Sequence, residues 1–376
     1  MLGCCFQRRK RSTIFAELFS MKILYVITLS ELGGAQSFVC NLANMEVLAG
    51  HEVMVVSGGQ GEAWENLDSR VHVRILKELQ REIGWRDALT VLNLFRVRWN
   101  FHPDIVHLNS SKIGMMGRLV FKPSRIVYTV HGFDSMRKTY RKLLFIEKLL
   151  KGRASAIVGV CKYDYDALLE EGITQHVSYI HNAVPDTMNS PMETEEELAV
   201  SQEMLKLHKQ YGKLLMCIAR DAKPKRLDMF FDLAKANPQY GFVWIGNKNE
   251  YKDKPANVHM LGSLQNASKY LRYVDLSVLI SDYEGFPMSI LESLSYGVPV
   301  VASNVGGVAE LLNGKNGLIA ENNLEDWSAK INQVLNDACL EDMSKEARKS
   351  YEQHFTIEKM VSAYDNIYNQ MKNRKK

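Results

Sequence analysis

The chain has 376 residues, 46% hydrophobic and 24% charged, with 24 Gly and 9 Pro. It is too long for one ordinary hydrophobic core and too apolar for a disordered or fibrous chain, so two domains of about 150–200 residues are expected. The net charge of +4 is uneven: 24 Lys and Arg stand against 17 Asp and Glu in residues 1–185, and 23 against 26 in the remainder, so the basic half is the one suited to an anionic partner. No zinc finger, RNP aromatic pattern or basic zipper accompanies that charge, which argues against nucleic acid and leaves an anionic membrane surface as the expected partner. Six scattered cysteines (Cys4, Cys5, Cys40, Cys161, Cys217, Cys339) without CxxC or Cys/His spacing argue against a disulfide framework or a zinc site and fit a reducing cytosol. No run approaches the roughly 18 apolar residues of a spanning helix.

Residues 1–20 contain Arg8-Arg9-Lys10-Arg11 and precede a second methionine, Met21. They lack the apolar core of a signal peptide and are expected to be a disordered basic extension. A membrane-touching tail and an upstream start-codon artefact both stay open. From Met21 strand and helix patterns alternate: Ile23–Thr28, a helix over 35–49, Glu52–Ser57, a helix over 85–99, Ile105–His107, Ile126–Val130, Ala156–Val160 and Val177–Ile180. The rhythm breaks at Asn182–Pro191 and the acidic stretch Met192–Leu207, where the domain link is expected. It resumes at Leu214–Ala219, Gly241–Gly246, Val258–Leu261, Leu276–Ile280, Val298–Ser303 and Gly317–Ala320, and ends in a helix from Ile357 to about Met371. This alternation implies an α/β fold of two Rossmann-like, doubly wound domains, over 21–190 and 191–355, with a C-terminal helix over 356–376 packing back on the N-terminal domain. Ligands of such sheets sit beyond the carboxyl ends of the strands, so the two domains are expected to face a ligand across a cleft.

The loops decide what the ligand is. Gly33-Gly34-Ala35 follows the first strand and opens a helix, where backbone can approach an anion. It is not GxGxxG, which argues against NAD or FAD. Ser281-Asp282-Tyr283-Glu284-Gly285-Phe286-Pro287-Met288-Ser289-Ile290-Leu291-Glu292 also follows a strand, and Pro287 is expected to start its helix. The free amides of Met288 and Ser289 would then favour a phosphate. Glu292 lies roughly 7 Å along the axis. A double-displacement glycosidase holds its carboxyls about 5 Å apart, whereas this spacing suits two acids gripping hydroxyls at opposite ends of one ligand. Arg220 and Lys225 follow the strand Leu214–Ala219 and could neutralise a diphosphate, each charge-assisted bond giving about 1.5–3 kcal/mol, so that a metal would be dispensable.

Together Gly33-Gly34-Ala35, Val130-His131-Gly132, Asn182-Ala183-Val184, Arg220 with Lys225, and Glu284-x7-Glu292 resemble the group 1 (family four) retaining glycosyltransferases of the GT-B architecture, over nearly the whole chain from Met21. The resemblance implies that Glu292 holds the nucleotide ribose, Glu284 the hydroxyls of the transferred sugar, Arg220 and Lys225 the departing diphosphate, and that the Gly34 amide touches the diphosphate. His131 would lie near the reaction centre, and Asn182, Gly285, Phe286, Met288 and Ser289 would complete the substrate site beside Gly33. It implies no metal and no cofactor, a nucleotide-diphosphate sugar being the substrate. Pro287 stands where many relatives have glycine, removing one amide donor. The expected activity is metal-independent transfer of a hexose from a UDP-sugar, a GDP-sugar staying open, to a glycan or lipid-linked acceptor in bacterial surface polysaccharide synthesis. The expected location is the cytoplasm, at the inner face of the plasma membrane. A nucleotide-sugar epimerase and a catalytically silent binding protein are the alternatives.

Three further segments look functional. Asp164-Tyr165-Asp166 matches a metal-binding DxD but opens an ordinary helix, and Asn109-Ser110-Ser111 and Asn266-Ala267-Ser268 match glycosylation sequons without a secretory signal. Residues 137–151 combine clustered cations with Tyr140, Leu143, Leu144 and Leu150, as an interfacial membrane helix would; a core-facing helix with a solvated basic face reads equally well.

Overall fold

In a computed structural model describing residues 20–373, the chain divides into two units, one formed by residues up to Val160, Asp164–Ile180 and Val361 onward, the other by Cys161–Tyr163 and His181–Met360. The basic extension expected over residues 1–20 lies outside the described residues except for Ser20.

Fully apolar strands need cover on both faces, and the first unit's central strands are buried along almost their whole length. Its sheet holds β1 (Lys22–Val26), β2 (Glu52–Ser57), β3 (His72–Ile75), β4 (Ile105–Leu108), β5 (Ile126–Val130), β6 (Ala156–Gly159) and β7 (Val177–Tyr179). All pair in parallel, in the order β3-β2-β1-β4-β5-β6-β7. Helices α1 (Gly34–Leu48), α2 (Arg86–Phe101), α3 (Ser111–Val120), α4 (Leu144–Leu149) and α5 (Lys162–Glu170) supply the crossovers. The reading above passes over β3, an edge strand whose first two residues, His72 and Val73, are exposed, so that no apolar run marks it.

The second unit repeats the plan with β8 (Leu214–Ile218), β9 (Gly241–Ile245), β10 (Val258–Met260), β11 (Leu276–Leu279), β12 (Val300–Ser303) and β13 (Gly317–Ala320), parallel in the order β10-β9-β8-β11-β12-β13. Its helices are α6 (Glu195–Tyr211), α7 (Leu227–Ala236), α8 (Met288–Ser295), α9 (Leu324–Val334) and α10 (Asp337–His354), followed by the final helix α11 (Ile357–Asn373). The stretch Met192–Leu207, expected as the link, is largely α6. Thr194 caps it by accepting the Glu197 amide at 3.1 Å, while the Glu197 carboxylate takes the Glu193 amide at 2.7 Å, and three acids in the first turn suit the helix dipole. The change of unit falls earlier, at Ile180–His181, against the 190/191 boundary expected above.

The expected interfacial helix over 137–151 is not one helix. A π turn (Ser135–Thr139) and a 3-10 turn (Arg141–Leu143) precede the six-residue α4, and Arg137, Lys138, Arg141 and Lys148 are paired with Asp134, Glu170 and Glu171. Among the described residues no helix is long and apolar enough to cross a membrane.

Helix α11 closes the first unit through a buried polar chain. His107 Nδ1 lies 2.7 Å from the Tyr368 hydroxyl and Nε2 2.7 Å from Thr129 Oγ1, which also meets the Tyr364 hydroxyl at 3.0 Å; the Tyr368 hydroxyl reaches that of Tyr25 at 3.2 Å. Burial keeps His107 well below its ordinary pKa, hence neutral. Nearby, Glu46, His51 and Asp365 cluster as metal ligands would. His51 Nδ1, however, accepts the Met21 amide at 3.2 Å, which leaves the proton on Nε2, facing Glu46 Oε2 at 3.5 Å. A ligating histidine donates through its second nitrogen instead. Burial, with Asp365 alongside, pushes Glu46 up to about 9, so it keeps its proton at neutral pH.

Replacing Tyr368 by Phe strands two buried partners, His107 Nδ1 and the Tyr25 hydroxyl. A loss of about 1–3 kcal/mol is expected, read as a lower urea midpoint with β-sheet circular dichroism unchanged in buffer.

Candidate active site

In the second unit two loops leave neighbouring strands at the same edge. The loop after β8 carries the exposed Arg220 and then turns back so that residues 224–226 lie against 280–282, which follow β11. The Arg226 amide donates to Ile280 O and the Asp282 amide to Pro224 O, both at 3.1 Å, around an antiparallel bridge between Lys225 and Ser281. The Lys225 ammonium donates to Glu284 Oε1, and the Ser281 hydroxyl donates to the same oxygen at 2.5 Å. Among the described residues nothing bonds Glu284 Oε2. The acid that the resemblance assigns to the sugar and the cation it assigns to the diphosphate are therefore paired with each other.

Pro287 does not start the next helix. With φ −68° and ψ 122° it is the residue before it, and α8 begins at Met288 with no side-chain cap. The first amide to turn inward is that of Ile290, to Pro287 O at 3.2 Å, so the amides of Met288 and Ser289 stand ahead of it at the positive end of the dipole. The side chains of Phe286 and Met288 are buried, which confines any part they take in binding to their backbone. Glu292, one turn in, has no side-chain hydrogen bond among the described residues, and burial pushes its carboxyl up to about 7.

The Glu284 loop rests on the chain after β12. A Cβ on Gly306, whose φ is +55°, would stand 1.8 Å from Glu284 O; one on Gly307 would stand 2.5 Å from Gly285 O, which accepts the Gly307 amide at 2.9 Å. Asn182 Nδ2 donates to Phe286 O at 3.3 Å, and the buried Asn182 Oδ1 has no partner among the described residues. The ring of His181 stacks on Phe286 at 4.8 Å while its Nε2 meets Glu310 at 2.9 Å. Burial alone would raise Glu310, but His181 and the amides of Tyr163 and Lys162 hold it below the usual carboxylate range.

In the first unit, Gly33 precedes α1 in an extended conformation and Gly34 is the first helical residue, again with no side-chain cap. His131 follows β5. Its Nε2 meets Asn109 Oδ1 at 3.3 Å, and because Asn109 Nδ2 is committed to His107 O at 3.0 Å, the histidine is the donor. Burial lowers His131 to about 3. The loop behind it is held by Asp164, whose carboxylate accepts the amides of Gly132 at 3.1 Å and Phe133 at 2.8 Å. The first acid of the apparent DxD is thus spent on this loop.

Residues 32–187 match the model of glycosyltransferase family 4 and residues 205–350 that of glycosyl transferases group 1. The chain belongs to these glycosyltransferases. The O-antigen biosynthesis glycosyltransferase WbnH of Escherichia coli is 27% identical over 91% of this chain and 98% of its own. A UDP-Gal:alpha-D-GlcNAc-diphosphoundecaprenol alpha-1,3-galactosyltransferase of the same organism is 25% identical over 93% and 96%. Among solved structures, Anabaena HepE in complex with UDP and glucose superposes with a TM-score of 0.77 at 19% identity, over 92% of this chain and 98% of that one, which supports the GT-B fold.

The second unit thus carries Arg220, Lys225, Glu284 and the uncapped start of α8 on the loops that follow β8 and β11. Sequence reasoning missed Asn109, Asp164, Ser281, His181, Glu310 and the pair Gly306-Gly307. The last had a visible signal, since Gly-Gly after a strand was read as informative at 33–34. A Gly306→Ala substitution meets both a left-handed φ and the Glu284 carbonyl, so the second unit should lose about 1–3 kcal/mol, measured by urea unfolding followed at Trp244 and Trp327.

Proposed function

We propose that the chain is a metal-independent retaining hexosyltransferase that takes its sugar from a nucleotide diphosphate, UDP-linked in preference to GDP-linked. The acceptor is a hydroxyl of a glycan or lipid-linked saccharide in bacterial surface polysaccharide assembly, at the cytoplasmic face of the membrane. The observation that carries the reading is the convergence of Lys225 and Ser281 on Glu284 beside the uncapped start of α8: a cation and free amides for phosphate, and an acid with one open oxygen for sugar hydroxyls. The galactosyltransferase relative, named for a UDP-sugar donor and a diphosphoundecaprenol acceptor, and HepE with UDP-glucose bound support the donor class.

In this mechanism the bond between the anomeric carbon and the β-phosphate oxygen breaks as the acceptor oxygen bonds to the same face of that carbon. The acceptor proton passes to the departing phosphate oxygen. Arg220, Lys225 and the Met288 and Ser289 amides take up the growing charge, Gly34 adding its amide, and Glu292 receives the ribose hydroxyls. His131 is a poor base: burial lowers it to about 3, so its ring does not keep a proton taken from the acceptor, and its Nε2 proton is directed at Asn109. Its part is to shape the first unit's share of substrate binding, as Asn182, Gly285 and Phe286 shape the Glu284 loop of the second.

The test is nucleotide release from a panel of UDP-, GDP- and ADP-sugars with acceptor, with and without chelator, and the anomer of the product read by NMR. Release independent of chelator and a retained anomer are expected, and Lys225→Met should lower turnover roughly 10²-fold or more. Dependence on chelator or an inverted product would overturn the reading.

Glu292 gives an independent pH signature. Receiving hydroxyls requires the carboxylate, and a group with pKa about 7 is mostly neutral at pH 6 and mostly ionised at pH 8. UDP affinity measured by calorimetry should therefore rise by up to about tenfold per pH unit below 7 and level off above, relative to a Glu292→Gln variant that binds weakly throughout.

A further inference from the structure

Helix α2 is apolar on two sides. Thr90, Leu94, Val97 and Phe101 face the core, as a sheet-covering helix requires. A second row, Trp85, Leu89, Leu92, Phe95 and Trp99, repeats at intervals of three and four residues and faces out, with Trp85 75%, Leu92 56% and Trp99 77% exposed. Among the described residues this row is left largely exposed, and a contiguous apolar stripe on a surface helix marks an interaction site. Trp64, Trp244 and Trp327 are buried, so both exposed tryptophans of the described chain lie at the two ends of one stripe.

The charges around the stripe identify what covers it. Arg96, Arg98, Trp99, Lys122 and Arg125 line a groove beside its C-terminal end. Among the described residues none of these cations has an acidic partner: Arg98 and Arg125 donate to the carbonyls of Val120 and Pro103, and Arg96 to Asn93. The one acid of α2, Asp87, is taken by Lys112 at 2.6 Å. Four of the cations of 137–151, Arg137, Lys138, Arg141 and Lys148, have acidic partners, whereas none of these has.

We propose that the outer stripe of α2 docks on an anionic phospholipid surface, its aromatic and aliphatic side chains entering the interface and Arg96, Arg98, Lys122 and Arg125 meeting lipid phosphates. A second copy of the chain is a poorer occupant, since a two-fold contact brings each patch onto itself and sets like charges together. The proposal places the membrane contact invoked under the proposed function but does not depend on the donor assignment.

The full chain is sedimented with vesicles of phosphatidylcholine alone or mixed with phosphatidylglycerol, at low and high salt. Binding to the mixed vesicles, weakened by salt, is expected. Arg96→Gln/Lys122→Gln should reduce it roughly 30-fold, and Leu92→Ser/Trp99→Ser should abolish it, with nucleotide release from a soluble acceptor unchanged in both. In the unsubstituted protein, brominated lipid should quench tryptophan fluorescence through Trp85 and Trp99. Equal binding by all variants, absence of quenching, or a dimer that the Leu92/Trp99 variant splits while vesicle binding persists would overturn the proposal. Loss of vesicle binding leaves the donor assignment untouched, and failure of the donor panel leaves the vesicle result standing.

Discussion

The candidate site depends on one backbone pairing, that of residues 224–226 with 280–282. These segments are far apart in the chain, but β8 and β11 are neighbours, with Leu215 opposite Leu276 and Met216 opposite Ser277. They are also the point at which the strand order reverses, so the loops leaving them diverge to opposite faces of the sheet and open a crevice between them. The chain spends that crevice on a short antiparallel clasp, which sets Lys225, Ser281 and Glu284 within bonding distance. The first unit uses its own reversal point, between β1 and β4, in the same way: Gly33-Gly34 leave β1, and Asn109 leaves β4 to orient the His131 that leaves β5.

The clasp also explains how opposite charges are kept half-buried without a ligand. A lone Lys225 or Glu284 in this crevice would pay for desolvation, and each compensates the other. Glu292 has no such partner and meets the same cost by holding its proton to about pH 7. His131, enclosed by Phe38 at 4.8 Å and bonded to Asn109, meets it by giving up its charge altogether. Glu292 and His131 thus answer comparable burial differently, the carboxyl by titrating near neutrality and the imidazole by staying neutral.

What could be read from the sequence was whatever is encoded locally. Apolar runs delivered most strands, β2, β5 and β13 to the residue, and the Glu284-x7-Glu292 and Arg220/Lys225 spacings marked the loops that the fold does bring together in one unit. Whatever depends on a distant partner was hidden. Asp164 looks like half of a metal motif until its carboxylate is seen on the Gly132 and Phe133 amides, and Gly306 looks like any turn glycine until Glu284 O is found against it. Asn109 was set aside as a chance sequon because nothing nearby reveals that it fixes the tautomer of His131. Thr194 and Glu197 did carry a local signal, a helix start, which was overlooked because the acids around them read as linker.

The two basic, apolar segments of the first unit show why composition misplaces an interaction surface. Residues 137–151 are richer in cations, and that drew attention to them. Counting charges ignores where the counter-charges fold, and Asp134, Glu170 and Glu171 pair with Arg137, Lys138, Arg141 and Lys148 from outside that segment. Helix α2 has fewer cations and was read only as a helix over 85–99, one step in the alternation of strand and helix. Only when the inner row is subtracted does the outer one remain, largely exposed among the described residues. A helix that covers a sheet needs one apolar face, and the sequence of α2 supplies two, which is the mark of a second surface that must also be dry.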